Sequence, residues 1–338
     1  MSQAPTVGQV EAAEGRVSFV VAINQALREE MARDPAVYVL GEDVAVGGPF
    51  GATAELAEAF GERRVRNTPI SEGTIMGVAV GMAVLGLRPV VEIMFVDFIT
   101  LAMDQLVNHG AKLRYLSGGQ LQVPLVVRAQ CGAMGGWGAH HSQSLEAWFL
   151  HVPGLKVVMP STPADARGLL KAAIRDDNPV VFVENRALYW GLGDVPAGDG
   201  LVPLGQAAVR REGSDVTVLA TGRLVSEALS AARDLVAEDV SAEVIDLRSL
   251  APLDLETIVG SVRKTGRVVI AHEAALTGGP GAELAARLQH AAFDYLDAPI
   301  ERVGAPDAPV PASPQLEEVF VPGRAEVTAA VRATLGRR

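Results

Sequence analysis

Short apolar strand candidates alternate with helical patterns through most of this 338-residue sequence. Each candidate is almost wholly apolar, rather than alternating apolar and polar residues, which is typical of strands buried on both faces. They lie at Val37–Leu40, Pro89–Phe95, Pro124–Ala129, Lys156–Met159, Val180–Glu184, Val216–Ala220, Ala242–Asp246 and Val268–Ala271. Strands and helices in this order predict parallel sheets covered by helices on both sides. The fold class is therefore α/β, with doubly wound domains.

The alternation is interrupted once. Residues 186–205 are rich in Gly and Pro and lack apolar periodicity, which indicates a linker. A chain of this length also exceeds what a single core usually holds. We therefore predict one doubly wound domain over residues 1–185 and a second over residues 206–338.

A helix expected over Gly73–Gly86 is apolar on every face, so it should lie centrally. Gly73, Gly77 and Gly81 are four residues apart, which leaves one face of the helix without side chains. Each glycine costs about 1 kcal/mol of helix propensity, so close packing should compensate. The glycine face is a candidate for contact with a helix of another subunit.

Composition excludes several classes of partner. The formal net charge of −11 disfavours nucleic acid and anionic membrane surfaces. Cys131 is the only cysteine, which excludes an intrachain disulfide and fits a reducing compartment. Residues 1–15 are polar and acidic and resemble neither a secretory nor a transit signal. We expect a cytoplasmic protein without nucleic-acid or membrane partners.

Seven ordered stretches carry a family resemblance. They are Gly41–Val44 (GEDV), Asn67–Glu72 (NTPISE), Gly138–Ser144 (GAHHSQS), Pro153–Pro160 (PGLKVVMP), Ala173–Pro179 (AIRDDNP), Asp246–Leu250 (DLRSL) and His272–Ala274 (HEA). Together they resemble the beta subunits of the thiamine-diphosphate-dependent pyruvate, branched-chain 2-oxo acid and acetoin dehydrogenases, from about Gly15 onward. The resemblance implies a pyrimidine-binding-type domain followed by a transketolase C-terminal-type domain. It also implies that this chain forms an alpha2-beta2 heterotetramer with an alpha subunit. The heterotetramer would in turn dock on a lipoyl transacylase core.

Glu72 is the first candidate catalytic residue. By itself it is an acidic residue in the first turn of a helix, where its negative charge would interact favourably with the helix dipole. Ser71 would be the N-cap of that helix. In the family resembled, the matching glutamate hydrogen-bonds a pyrimidine ring nitrogen of the cofactor and promotes its activation by proton transfer. The resemblance therefore assigns Glu72 to catalysis and cofactor binding.

Phe98 and His141 are the other candidates. Phe98 alone would be a core residue, with Asp97 before it as a helix cap; the resemblance matches it to the aromatic that packs on the aminopyrimidine. His141 lies in a Gly-rich loop, and the resemblance matches it to the histidine that faces the substrate-derived group and supports acyl transfer. Imidazole exchanges protons near neutral pH, which suits that task. His140 replaces the glutamine common there, so the residues alone leave open which histidine faces the cofactor.

Five residues match a structural potassium site of the family. By themselves they form an ordinary helix-to-strand turn, for which Asp-Asp-Asn-Pro is suitable. The resemblance instead implies a K⁺ ion bound mostly by backbone carbonyls. The residues are Leu125, Ala173, Ile174, Asp176 and Asn178.

The chain lacks the usual magnesium motif of thiamine-diphosphate enzymes. Gly198-Asp199-Gly200 matches its opening, but no asparagine follows Asn185 in the sequence. We interpret the triplet as a turn. If the chain binds this cofactor, Mg²⁺ and the diphosphate should be held by the alpha subunit.

The resemblance implies a subunit of an oxidoreductase that oxidatively decarboxylates a 2-oxo acid, pyruvate or a branched-chain acid, and transfers the acyl group to lipoamide. An acetoin dehydrogenase beta subunit is the alternative. A self-sufficient transketolase-like enzyme is opposed by the missing asparagine and the short chain. A non-catalytic assembly protein is opposed by the retention of Glu72, Phe98 and His141. The residues do not reveal the substrate, because Tyr115–Gly119 is pyruvate-like whereas His272–Gly279 is branched-chain-like.

Overall fold

The computed structural model describes residues 16–336. The N-terminal segment 1–15, on which the expectation of no leader rests, lies outside the described residues. The chain forms two compact units. Unit 1 contains the described residues up to Cys131 together with Phe149–Leu204, and unit 2 contains Gly132–Trp148 and the residues from Gly205 onward. Within residues 16–336, no helix combines the length and the apolarity that a bilayer span needs.

Unit 1 contains a parallel sheet. The strands of unit 1 are β1 (Arg16–Ser18), β2 (Val37–Gly41), β3 (Val65–Asn67), β4 (Arg88–Phe95), β5 (Val126–Cys131), β6 (Lys156–Val158), β7 (Val180–Asn185) and β8 (Leu192–Asp194). Six of them pair in parallel in the order β6-β7-β5-β4-β2-β3. Strands β4, β5 and β7 are buried along most of their length, which is why their sequences are apolar at consecutive positions.

Helices cover this sheet. Those that begin in unit 1 are α1 (Phe19–Arg33), α2 (Leu56–Phe60), α3 (Glu72–Val84), α4 (Val96–Ile99), α5 (Leu113–Leu116) and α7 (Pro163–Arg175), and α6 (Glu146–Leu150) begins in the unit 2 segment. The core packs α1 and α7 against the sheet through residues such as Phe19, Ile23 and Leu170. Ser18 and Thr162 cap α1 and α7 by accepting backbone hydrogen bonds, so the ends of both helices are fixed by side chains.

The structure differs from the sequence pattern in two places in unit 1. The amphipathic spacing of Phe98–Leu116 predicts a single helix, but the structure breaks this stretch into short turns, with a π-helical segment at Asp104–Gly110. There the Ala111 N–H donates to the Leu106 carbonyl five residues earlier, and apolar spacing does not reveal such a wide turn. The expected linker also contains a strand, because β8 pairs antiparallel with β1.

Unit 2 contains a second, mixed sheet. The strands of unit 2 are β9 (Ala208–Arg211), β10 (Val216–Ala220), β11 (Ala242–Asp246), β12 (Ser249–Ala251), β13 (Val268–Ala275) and β14 (Glu301–Ala305). Five of them pair in the order β14-β13-β10-β11-β9, and only the edge strand β9 runs antiparallel to its neighbour. Its helices are α8 (Leu224–Asp234), α9 (Leu255–Thr265), α10 (Pro280–Ala292), α11 (Pro314–Phe320) and α12 (Arg324–Thr334). Helices α8 and α12 pack together over a core of small residues and valines.

Candidate active site

Three candidate residues of unit 1 follow neighbouring parallel strands. Glu42 follows β2, Glu72 lies beyond β3, and Phe98 lies beyond β4. Strands β3, β2 and β4 are adjacent, so their carboxyl ends meet at one edge of the sheet. Doubly wound folds bind their ligands at this edge. The topology therefore brings a carboxylate pair and an aromatic ring to the position where a ligand is expected.

Glu72 is the first residue of α3 and only 7% exposed. Ser71 precedes it, but its side chain makes no capping hydrogen bond and donates instead to Thr74. A Cβ on Gly73 would lie 3.2 Å from the carbonyl oxygen of Leu101, so glycine lets this end of α3 pack closely against the next segment. The hydrogen bonds and ion pairs formed among residues 16–336 do not include the Glu72 carboxyl group. A buried carboxyl without an internal partner suits a ligand that supplies one.

Glu42 is a second carboxyl group at this site. Burial, then the negative charges of Glu72 and Asp43, raise the pKa of Glu42 above its ordinary value. Sequence reasoning used Glu42 only as part of a family motif and gave it no role. The available signal was its position directly after β2, beside the strand that leads to Glu72. Two carboxyl groups in electrostatic contact can exchange protons with a ligand.

Phe98 is half-buried in α4. Its ring meets Phe95 edge to face, with centroids 5.9 Å apart and planes at 86°, and Phe95 meets Phe50 in the same manner. These contacts fix the ring while leaving part of it open. Asp97 was expected to cap this helix, but it lies inside the first turn and the capping position belongs to Phe95.

A fully buried ion cluster joins the three central strands of unit 1. Arg128 on β5 donates to Glu92 on β4 at 2.6 Å and to Glu184 on β7 at 2.7 and 3.0 Å. Tyr189 also donates to Glu184. Burial acts against the charge of Arg128, but both carboxylates keep its pKa above the ordinary value. The cluster fixes β4, which leads directly to Phe98.

His141 lies in unit 2, in the segment 132–148. It is half-buried, and its ring faces Trp137 at 6.1 Å between centroids, whereas His140 is exposed. Of the two histidines, His141 therefore has the more fixed environment. Trp137, 47% exposed, was not singled out from the sequence, although an aromatic in a Gly-rich loop was the available signal.

The five potassium candidates lie in unit 1 at the amino-terminal edge of the sheet. Leu125 precedes β5, Ala173 and Ile174 lie in the last turn of α7, and Asp176 and Asn178 follow that helix. The Leu125 carbonyl accepts a hydrogen bond from the Val180 N–H. Arg88 donates to the carbonyls of Ile174 and Asp176 at 3.0 and 3.1 Å. A carbonyl oxygen has two lone pairs, so each can accept a further interaction.

The carboxylate of Asp176 is already engaged. It accepts from the backbone and side chain of Asn178, both at 2.9 Å, and from Lys156. Burial alone would raise the pKa of Asp176, but the hydrogen bonds from Lys156 and Asn178 keep it below the ordinary value. An ion here would therefore depend on backbone carbonyls, as expected from the sequence.

Gly198-Asp199-Gly200 lies in an irregular segment with a bend at Gly198 and positive φ at both glycines. Asp199 accepts from Arg175 at 2.8 Å and pairs with Lys171 at 2.7 Å. Its carboxylate is thus occupied by side chains of α7 and is not a magnesium ligand. Residues 16–336 contain no cluster of three or more histidine, cysteine or acidic side chains arranged to hold a metal ion.

The sequence matches two protein families in succession. They are the transketolase pyrimidine binding domain, over residues 16–190, and the transketolase C-terminal domain, over residues 205–327. The chain is also similar to a split gene transketolase, described as an inactive beta4 tetramer, with a TM-score of 0.77 and 29% identity. That similarity covers 94% of this chain and 98% of the other.

Other relatives have still higher identity. The chain is 48% identical to the 2-oxoisovalerate dehydrogenase subunit beta of Bacillus subtilis, with 94% of this chain and 98% of the relative covered. It is 44% identical to the acetoin:2,6-dichlorophenolindophenol oxidoreductase subunit beta of Cupriavidus necator, with 95% and 98% covered. It is 47% identical to the pyruvate dehydrogenase E1 component subunit beta of Rhizobium meliloti, with 92% and 68% covered.

Proposed function

This chain belongs to the transketolase-like family of 2-oxo acid and acetoin dehydrogenase beta subunits, and we propose that it forms the pyrimidine-binding half of a thiamine diphosphate site completed by an alpha subunit. The enzyme oxidatively decarboxylates a 2-oxo acid, pyruvate or a branched-chain acid, and transfers the acyl group to lipoamide of a transacylase core. The observation that carries the proposal is Glu72: it is 7% exposed and has no internal hydrogen-bond partner within residues 16–336.

When bound, thiamine diphosphate supplies the carbanion stabilisation that decarboxylation of a 2-oxo acid requires. The chain's own residues bind and orient its pyrimidine ring. Glu72 holds a proton at a ring nitrogen, Glu42 exchanges protons with Glu72, and Phe98 packs on the face of the ring. The buried position of Glu72 supports this assignment, because it holds the carboxyl group away from bulk solvent. The raised pKa of Glu42 also supports it, because it favours proton exchange over permanent ionisation of that group.

His141 binds the substrate-derived group and handles a proton during acyl transfer. Its support is the fixed, half-buried ring beside Trp137, compared with the exposed His140. We expect His141→Ala to impair acylation of the lipoyl carrier by about 100-fold, and loss of carbon dioxide less. Separate assays of the two steps check this; a larger defect in decarboxylation contradicts the role.

An alpha subunit holds the diphosphate and Mg²⁺. Two observations support the assignment of Mg²⁺ to the alpha subunit. Within residues 16–336 the acidic groups form no cluster that could hold a metal ion, and the Asp199 carboxylate pairs with Lys171 and Arg175 of α7. Gly73 and Gly77 of α3 pack against Leu101 and Gln105 of this chain, so only the later part of the helix is a candidate contact for the partner. There Gly81 is open, and Val78, one turn earlier, is 50% exposed. We propose an alpha2-beta2 assembly. We also propose a cytoplasmic location, which is supported by the presence of a single cysteine, Cys131, because one cysteine excludes an intrachain disulfide.

The experiment that tests the function uses Glu72→Gln. Glutamine keeps the size of the side chain but cannot exchange the proton, so turnover of the complex with the alpha subunit should fall about 100- to 10,000-fold. Glu58→Gln, at an exposed position of α2, is the control and should retain full turnover. Calorimetric titration with thiamine diphosphate verifies that both variants still assemble a site. Near-normal turnover of Glu72→Gln refutes the assignment.

Substrate choice is tested separately. Relatives named for 2-oxoisovalerate, pyruvate and acetoin are 48%, 47% and 44% identical, so identity does not select among them. The complex should be assayed with pyruvate, 3-methyl-2-oxobutanoate and acetoin, each with its own acceptor. Turnover of acetoin alone would favour the acetoin dehydrogenase alternative over the 2-oxo acid enzyme. Turnover by this chain without an alpha subunit would instead favour a self-sufficient transketolase-like enzyme.

We also propose that the carbonyls of Leu125, Ala173, Ile174, Asp176 and Asn178 hold a structural K⁺ ion. Three of these residues lie at the carboxyl end of α7 or directly after it, where carbonyl groups carry partial negative charge. Thermal unfolding in potassium chloride, compared with choline chloride at equal ionic strength, tests the site. A midpoint higher in potassium by a few degrees is expected, and equal midpoints contradict it.

A further inference from the structure

Five aromatic rings of unit 1 form a continuous chain from the candidate site to the core. In order, they are Phe98, Phe95, Phe50, Tyr189 and Phe19. Successive ring centroids lie 5.9, 6.4, 5.8 and 6.0 Å apart, and the first three contacts are edge to face. Aromatic pairs attract each other at such separations. Of these five rings, the proposed mechanism uses only Phe98.

Phe50 is the ring that joins the two ends of this chain. It lies in the segment between β2 and α2, whereas Phe95 ends β4 and Phe98 lies in α4. The plane of its ring makes an angle of 85° with Phe95 and 86° with Tyr189. Phe95 and Tyr189 are 2% and 0% exposed, so half-buried Phe50 packs between two rings that are fixed in the core.

The backbone around Phe50 depends on side chains for its position. Residues 47–55 form turns rather than a helix or a strand, and Gly51 has a φ of +85°. The buried amide of Asn24 in α1 donates to the carbonyls of Ala52 and Ala54 at 3.1 and 3.0 Å. These two bonds and the ring contacts of Phe50 attach the segment to unit 1. The position of the Phe50 ring is therefore well defined.

The contacts of Phe95 can transmit the position of Phe50 to Phe98. The guanidinium group of Arg186 lies over the Phe95 ring, 5.5 Å from its centroid, where a cation is attracted to the ring. Phe50 meets the same ring edge to face, and so does Phe98. Loss of the Phe50 ring would give Phe95 room to turn, and Phe98 would lose its fixed neighbour. Glu42 is affected less, because it directly follows β2, which is paired on both sides.

We propose that Phe50 is a positioning residue for the cofactor: through Phe95, it holds the Phe98 ring in the orientation that packs on an aminopyrimidine. The inference rests on the proposed function, because it requires Phe98 to bind the pyrimidine ring of thiamine diphosphate. A phenylalanine that only filled the core would stabilise unit 1 without changing the affinity for the cofactor.

The first measurement is calorimetric titration of the complex with the alpha subunit, in excess Mg²⁺, with thiamine diphosphate. Phe50→Leu keeps an apolar side chain but removes the ring, so the dissociation constant should rise about 3- to 10-fold, the range for loss of an aromatic contact. Turnover at saturating cofactor should fall by less than about 3-fold, because Phe50 contributes to binding and not to the reacting groups. Phe50→Tyr retains the ring and should bind the cofactor within about 2-fold of the wild type.

Phe60→Leu is the matched control. Phe60 is also half-buried and packs against the same core, but its ring contact is with Arg64 at 5.4 Å, outside the aromatic chain. Both leucine variants should lower the thermal midpoint of the isolated full-length chain by a few degrees. Only Phe50→Leu should weaken cofactor binding, which separates positioning from general stability.

A double-mutant cycle tests whether Phe50 acts through Phe98. Phe98→Leu should itself weaken binding of thiamine diphosphate, because it removes the ring that packs on the pyrimidine. In that background Phe50→Leu should cause no further loss, since the ring that it orients is already absent. If Phe50→Leu does not assemble with the alpha subunit, Phe50→Met takes its place in each comparison.

Wild-type cofactor affinity in Phe50→Leu overturns the proposal, and so does an equal loss in Phe60→Leu. A loss that persists in Phe50→Tyr, or that adds fully to the loss in Phe98→Leu, also overturns it. Failure of the wild-type complex to bind thiamine diphosphate overturns this proposal and the proposed function together. Wild-type binding followed by any of the preceding results overturns this proposal alone.

Discussion

Replacing Arg128 by methionine should strongly destabilise unit 1. Arg128 is 0% exposed and joins Glu92 and Glu184, which are 4% and 1% exposed, through hydrogen bonds of 2.6 to 3.0 Å. Methionine fills much of the same volume but leaves two carboxylates facing each other without a cation. The packing is nearly retained, so the change isolates the electrostatic contribution.

The expected cost is about 3–5 kcal/mol, the range for removing one partner of a buried ion cluster. Glu92 limits the loss, because burial, although opposed by Arg128, already raises its pKa, and it can bind a proton when Arg128 is absent. In a unit of this size, 1 kcal/mol shifts the melting midpoint by about 2–4 °C, so a decrease of roughly 6–20 °C follows.

Urea unfolding followed by fluorescence measures the change, because Trp190 lies in unit 1 while the other two tryptophans lie in unit 2. Arg128→Lys keeps the charge and should lose less stability. The variant Arg128→Met with Glu92→Gln and Glu184→Gln should recover more than half of the loss, because the buried charges are then gone. A single Arg128→Met change that costs under about 1 kcal/mol, or no recovery in the triple variant, would refute the electrostatic reasoning.

Two further predictions concern stability. Burial lowers the pKa of His272, only 1% exposed, from 6.5 to about 4, so the unfolded chain binds a proton that the folded chain excludes; stability is complete above pH 6.5 and falls by about 3 kcal/mol towards pH 4. Denaturation of the wild type and His272→Gln across this range measures the contribution as the difference between their unfolding free energies, which should change by about 3 kcal/mol; a difference that does not vary with pH would contradict the assignment. Gly154→Ala should lower the unfolding free energy by about 2 kcal/mol or more, because its φ is +102° and a Cβ would overlap the Ala111 carbonyl oxygen. Gly260→Ala, open and inside α9, should raise it by up to about 1 kcal/mol, and thermal melts in which Gly154→Ala is the more stable variant would count against both arguments.

Local patterns revealed most of the elements in advance. Burial on both faces makes a strand apolar at consecutive positions, and such runs are found at β4, β5 and β7. Helix α3 is apolar on every face, which indicated a central position. The sequence motifs also identified the family correctly, and the matched domains follow in the expected order. The π-helical turn at Asp104–Gly110 was missed, because one wider turn barely alters apolar spacing.

The candidate site was only partly visible. Glu72 and Phe98 came from family motifs, whereas the electrostatic contact between Glu42 and Glu72 depends on strand order, which joins residues 30 positions apart. Phe50 gave no signal, because both rings between which it packs follow much later in the chain. Its contacts follow from how the segment between β2 and α2 packs within unit 1, a non-local fact.

The sequence by itself determined the alternation of strands and helices, the α/β class and the family, because each depends on residue order and local periodicity. Only the tertiary structure decided which carboxyl groups are buried together and which lack a partner. Burial and electrostatic pairing depend on residues distant in the chain, and no local pattern encodes them. The two glutamates at the head of helices α3 and α6 look alike in sequence, yet one lies at the carboxyl edge of a parallel sheet and the other is fully buried in unit 2.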